Sequence, residues 1–246
     1  MGKKYANPPI IEAVCEFRLT HDSAWDLTTP GLVYEEVRED FPNKEQRLIQ
    51  EVEMTPGPRG LDQKIRTSER ILFLTNERKT FIQVGPHLLA VNCLKHYPTW
   101  GEFKPRIEKA FRALTHTVDI KGLQRIGLRY INMIEIPGQS INLDIYFEFR
   151  PFLGQKLPQN MLNFIIGCEL PFFDKRDSCR VELTRAVSDK PEISAFVLDL
   201  DYFLVQPQTV SADQALEWVE TAHQNLEEIF EGCITESLRE IFQEVK

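Results

Sequence analysis

The chain has 246 residues, of which 42% are hydrophobic and 27% charged. That composition suits one large globular domain or two small ones, and argues against a disordered, collagen-like or low-complexity chain. A formal charge of −8 disfavours non-specific binding to nucleic-acid phosphates and fits a protein partner better.

The opening MGKKYANPPIIEAV has neither the apolar core nor the small-residue cleavage site of a secretory leader. No apolar run has membrane-spanning length, so a cytoplasmic protein without membrane contact is expected. Residues 10–20 alternate, with Ile11, Ala13, Cys15, Phe17 and Leu19 on one face and Glu12, Glu16 and Arg18 on the other. This is the pattern of a half-buried strand. Thr29 and Pro30 then open a short helix that carries Val33, Val37 and Phe41 and stops near Pro42. Strands are predicted over 47–54, 64–75, 79–84 and 87–95, with a turn-rich stretch at 56–60. Thr99 and Glu102 have capping-box spacing ahead of a helix striped by Phe103, Ile107, Phe111 and Leu114.

The order then starts again. Segment 125–136 alternates, 141–149 fits either a strand or a short helix, and 162–172, 179–187 and 193–206 read as strands. Ser211 and Gln214 form a second capping box, which predicts one long helix over 212–243 with Gly232 as a point of kinking or close packing. The expected architecture is α+β, in two similar halves, 1–121 and 122–246, each an antiparallel sheet packed on a helix. It is similar to TATA-binding-protein-like or helix-grip arrangements, with the halves joined in one continuous curved sheet. If the first strands of the halves meet, Glu12 and Glu16 would face Arg125 and Arg129 across the seam.

Polar residues supply few candidates for chemistry. Asp199 and Asp201 project from one face of a strand. Salt bridges to Arg125 or Arg180 explain them more simply than a magnesium site, which needs a third ligand. No pair of the five histidines has the i,i+4 spacing of a helical metal site, and no Walker A, GxSxG or dinucleotide glycine pattern occurs. Cys15, Cys93 and Cys168 fall on apolar strand faces and are expected to be buried and inert. Cys179, after the charged run 174–178, is the best candidate for a reactive thiol. The run 145–152 cannot bury every ring on one face. Tyr146, Phe149, Arg150 and Phe152, together with Arg125, Arg129, Arg176 and Arg180, are therefore the candidate binding residues.

The segments NPPIIEAVCEFR (7–18), RIGLRYINMIEIP (125–137), LDLDYF (198–203) and AHQNLEEIFEGCITESLREIF (222–242) span the beginning, middle and end of the chain. In them the sequence resembles a sporadically distributed prokaryotic family of unknown function. The resemblance implies no catalytic residues. It implies a setting in mobile or defence-type loci, including CRISPR-associated accessory proteins, with a protein partner encoded nearby. The combined expectation is a non-enzymatic protein-binding adaptor without a cofactor. The alternatives are a small-molecule sensor built on a helix-grip cavity and a metal-dependent hydrolase using Asp199 and Asp201.

Overall fold

The computed structural model describes residues 3–57, 60–159 and 161–245, in backbone terms alone over 49–67. In chain order the strands and helices are β1 (Lys4–Tyr5), β2 (Ile10–Leu19), α1 (Thr29–Val37), β3 (Asn43–Gly57), β4 (Gly60–Leu74), β5 (Thr80–Gly85), β6 (Leu88–Leu94), α2 (Trp100–Thr117), β7 (Leu123–Pro137), α3 (Leu143–Tyr146), β8 (Ile165–Phe172), β9 (Asp177–Ala186), β10 (Ile193–Leu204), α4 (Ala215–Cys233), α5 (Glu236–Phe242) and β11 (Glu244–Val245). Pro58 and Arg59, in the turn-rich 56–60 stretch, lie outside the described residues.

Nine strands form one antiparallel sheet in the order β3-β4-β5-β6-β2-β7-β10-β9-β8. The centre is the pair β2 and β7, the two strands with the cleanest alternation. Val14 lies against Arg129 and Glu16 against Gly127. From this seam each flank proceeds alike: β2 is followed outward by β6, β5, β4 and β3, and β7 by β10, β9 and β8. Period-2 alternation assigns the faces. Ala13, Cys15 and Phe17 of β2, Ile126, Leu128 and Tyr130 of β7, and Leu198, Leu200 and Tyr202 of β10 are buried on the side where α1, α2 and α4 pack. Phe17 stacks on Phe111 of α2 at 4.3 Å between ring centres, and Tyr202 packs on Trp218 of α4 at 5.5 Å. Buried residues from both sides of the seam belong to a single core cluster.

Helix ends depart from the local motifs. Asp26 accepts the backbone N–H groups of Thr28 and Thr29, so it supplies the acceptor at the start of α1 that was expected of Thr29. Thr99 caps α2 without its hydroxyl, because its carbonyl already takes the N–H groups of Glu102 and Phe103. Ser211 and Gln214 do form their box, with the Gln214 amide oxygen accepting the Ser211 N–H at 3.3 Å, and it opens a 3-10 turn ahead of α4.

The single helix expected over 212–243 is a correction. α4 stops at Cys233, Ile234 is extended, and α5 begins at Glu236. The break is made from outside the helix. Ile234 forms a β-bridge with Phe147, and Cys233 accepts the N–H of Glu148. Gly232 lies just before it, with open space where a Cβ would stand. Gly232→Ala is therefore expected to raise stability by about 0.5–1 kcal/mol, from helix propensity alone. Urea unfolding checks this, and a loss of stability would show that the glycine is needed for packing.

Candidate functional site

The sheet face opposite α1, α2 and α4 carries a seam of paired charges. Glu16 of β2 accepts Arg18 at 2.7 Å and Arg125 of β7 at 2.9 Å. Arg125 also reaches both oxygens of Asp201 on β10, at 3.1 and 3.0 Å. Beside it, Arg129 donates its Nε to Asp199 at 2.8 Å. Arg125 and Arg180 flank the ring of Phe203, at 5.0 and 6.0 Å from its centre. On the other side of Glu16 the ladder continues through amide side chains. Gln83 donates to Asn92 at 2.7 Å and Asn92 to Glu12 at 2.7 Å.

Gly127 is what allows this arrangement. It sits opposite both Glu16 and Phe203, and the Arg125 guanidinium occupies the place a Cβ at 127 would take. The spacing Arg125-x-Gly127-x-Arg129 thus lays one guanidinium over Gly127 and sends the other to Asp199 on β10.

The electrostatics follow from burial against pairing. Burial alone would raise the Glu16 carboxyl, but the bonds and charges of Arg18 and Arg125 outweigh it and hold the group below the usual carboxylate range. At Asp201 burial wins over Arg125 and Arg129, and the carboxyl is raised. Arg129 is raised, first by its bond to Asp199.

Of the seam expected from sequence, the meeting of β2 and β7 and the Glu16–Arg125 pair are present. Arg129 turns to Asp199 because β10 lies on that side of it. Glu12 is taken by Asn92. Asp199 and Asp201 have their oxygens engaged by guanidinium groups, and no group of three or more potential ligands that could hold a metal occurs among the described residues.

The other candidates separate into three environments. Arg176 is tied to its neighbour Asp177 through two bonds, at 3.1 and 2.6 Å, with Asp177 buried. It anchors that buried carboxylate. Tyr146 and Phe149 are half-buried against the core, because Cys233 at the helix break draws 147–149 inward. Arg150 and Phe152 border a cleft of about 830 Å³, lined also by Asp144, Glu148, Phe164, Arg185 and Phe196. Arg150 is held there by Asp144 and by the carbonyls of Phe147 and Glu148. Phe152 is 91% exposed and Leu162 87%, with Leu157 also exposed between them.

Two thiol expectations are corrected. Cys179 is buried on the helix side of β9, and burial pushes its thiol far up, away from reactivity. Cys168 is exposed: it faces the same side as Val181, but lies on the outermost strand, at the rim of the helix-covered area.

One buried network was not anticipated. The His223 Nδ1 and the Tyr130 hydroxyl share a hydrogen bond at 2.9 Å, Glu227 lies 3.3 Å from Nε2, and Trp100 stacks on the imidazole at 4.1 Å. It clamps α4 to β7 and α2. The i,i+4 spacing of His223 and Glu227 was visible in the sequence, whereas their closeness to Tyr130 was not.

No protein-family model matches the chain, and no curated protein matches it. No helix among the described residues is long and apolar enough to cross a membrane.

Proposed function

We propose that the chain is a non-enzymatic protein-binding adaptor whose contact surface is the rim of the 830 Å³ cleft. The observation that carries this reading is the set of solvent-facing apolar side chains at Phe152, Leu157 and Leu162 on the connection into β8, with Phe152 lining the cleft together with Asp144 and Arg150. Large exposed side chains grouped on one connection, next to an arginine already held by its neighbours, are the composition of a binding hot spot with a charged margin. Arg129, Arg180, Glu182, Asp199 and Asp201 line a small concavity of about 140 Å³, but the carboxylates of Asp199 and Asp201 are engaged by Arg129 and Arg125. This favours a structural role for the seam over the metal-hydrolase reading.

The cleft volume also falls in the range of small-molecule sites. Its wall mixes the charged Asp144, Glu148, Arg150 and Arg185 with apolar side chains such as Leu143, Phe164 and Phe196, whereas a helix-grip sensor would need an enclosed and mainly apolar chamber. The alike order of strands on the two flanks supports an internal duplication, with the halves joined at β2 and β7 in the manner of a TATA-binding-protein-like saddle. We place the partner among proteins encoded beside this chain in a prokaryotic defence-type locus, on the strength of the sequence resemblance.

The test is a comparative capture from the native host with the tagged full chain and with Phe152→Asp/Leu162→Asp, both side chains being solvent-exposed and the variant's fold checked by circular dichroism. One protein, enriched by the parent and reduced at least tenfold by the variant, is the expected result. Equal recovery by both, or a tightly bound metabolite in place of a protein, would refute the adaptor reading.

A further inference from the structure

β8 closes one end of the nine-stranded sheet. The Phe164 carbonyl accepts the Arg185 N–H, so the even-numbered residues of this segment bond to β9. The N–H and C=O groups of Ile165, Gly167 and Glu169 therefore point outward. Pro171 falls in the same outward row, where its missing N–H takes nothing from the β9 ladder. Monomeric proteins blunt such an edge with charged side chains, prolines, bulges or a covering segment, and here Pro171 blunts one end only. Here the strand carries one charge, Glu169, while Ile165 is 69% and Leu170 39% exposed.

About Cys168 the even-numbered, helix-side positions of this edge are mirror-like. Outward from Cys168, Ile166 matches Leu170 and Phe164 matches Phe172, while Gly167 stands across from the lone Glu169. A two-fold contact about Cys168 sets position 166 of one copy against 170 of the other and 167 against 169, and those pairs are compatible: apolar on apolar, and glycine against a carboxylate. We propose that β8 pairs antiparallel with β8 of a second copy of this chain, about a two-fold axis through Cys168, fusing the two sheets into one.

In that register Gly167 and Glu169 of the second copy exchange both backbone bonds on each side of the axis, and Ile165 donates to the Pro171 carbonyl. Ile166 packs on Leu170 of the second copy along the helix-side face, since directly opposite residues share a face. Glycine opposite Glu169 leaves the carboxylate room, and Arg180, 3.9 Å away, offsets its charge. Cys168 meets its own copy at a non-hydrogen-bonded position, where Cα atoms lie about 4.5 Å apart. That separation is within disulfide reach. This contact does not depend on the adaptor reading.

Sedimentation of the reduced full chain should give twice the 28.6 kDa of the monomer at high concentration, and labelling of Cys168 should slow as concentration rises. Gly167→Pro, which removes an outward N–H and spares the β9 ladder, should shift the dimer to monomer. Diamide, which takes up the two electrons and two protons released as two thiols join, should give a covalent dimer that Cys168→Ser abolishes. In the Cys168→Ser background, Ile166→Cys should cross-link at least tenfold less, because residue 166 faces residue 170. A chain that stays monomeric up to about 100 µM, an order-of-magnitude ceiling for a weak self-contact, overturns the proposal. So does a dimer that survives Gly167→Pro and cross-links equally from positions 166 and 168.

Discussion

Asp177→Ala is expected to cost about 3–5 kcal/mol of folding stability, the usual consequence of removing one partner from a buried ion pair. Asp177 is 0% exposed at the start of β9. One of its oxygens accepts Trp218 of α4 at 3.0 Å and the Arg176 Nε at 3.1 Å. The other accepts the Arg176 Nη2 at 2.6 Å and the Tyr202 hydroxyl of β10 at 3.3 Å. Alanine leaves a guanidinium, an indole N–H and a phenol facing a void, and each unsatisfied donor adds its own desolvation penalty. Arg176→Ala should be less damaging, at about 1–3 kcal/mol, since Trp218 and Tyr202 still satisfy the carboxylate and part of the Arg176 side chain is solvated. Urea titrations would show both as shifts of midpoint at constant slope. A loss under about 1 kcal/mol for Asp177→Ala would mean that the site is wetter than the structure describes, because that is the range of exposed pairs.

The same residues show how far the sequence could be read. Alternation in 10–20, 125–136 and 193–206 places β2, β7 and β10, the strands of the charged seam, and their faces, because a half-buried strand needs side chains of opposite character at successive positions. Parity even placed Cys168 on the correct face. What parity lacks is the width of the helical layer, so its exposure on the outermost strand was unreadable. Cys179 was misjudged for the converse reason. The charged run before it suggested a wet surface, yet Asp177 turns inward to Trp218, forty-one residues along the chain. The break after α4 has a local mark in Thr235 ahead of Glu236, but its cause is the bridge between Phe147 and Ile234. Arg125 had two plausible partners in the sequence, Glu16 and Asp201, and it takes both. The connection that borders the cleft gave no periodic signal, since residues 150–159 carry neither a helix nor a strand repeat in the sequence.

Arg125→Met should remove about 2–3 kcal/mol at neutral pH, between the values for exposed and fully buried pairs. The substitution keeps an apolar stem beside Phe203 and deletes the one group that bonds to Glu16 and Asp201 together. Its pH dependence separates this cause from lost packing. Glu16 is held below its ordinary value, so its contribution is complete above about pH 4.3 and disappears as pH falls through the lower folded value. Asp201 is raised by burial against the pull of Arg125, so without Arg125 it rises further and the folded variant takes up a proton sooner. Both effects have the same sign in the comparison. The gap between parent and variant should be widest near pH 7 and should narrow on acidification toward pH 4. Gly127→Ala should reproduce part of the neutral-pH loss, because its Cβ falls on the guanidinium. A gap that stays constant across that pH range, with Gly127→Ala costing nothing, would mean that β2, β7 and β10 are held in register by their apolar face alone and that the charged seam merely rides on it.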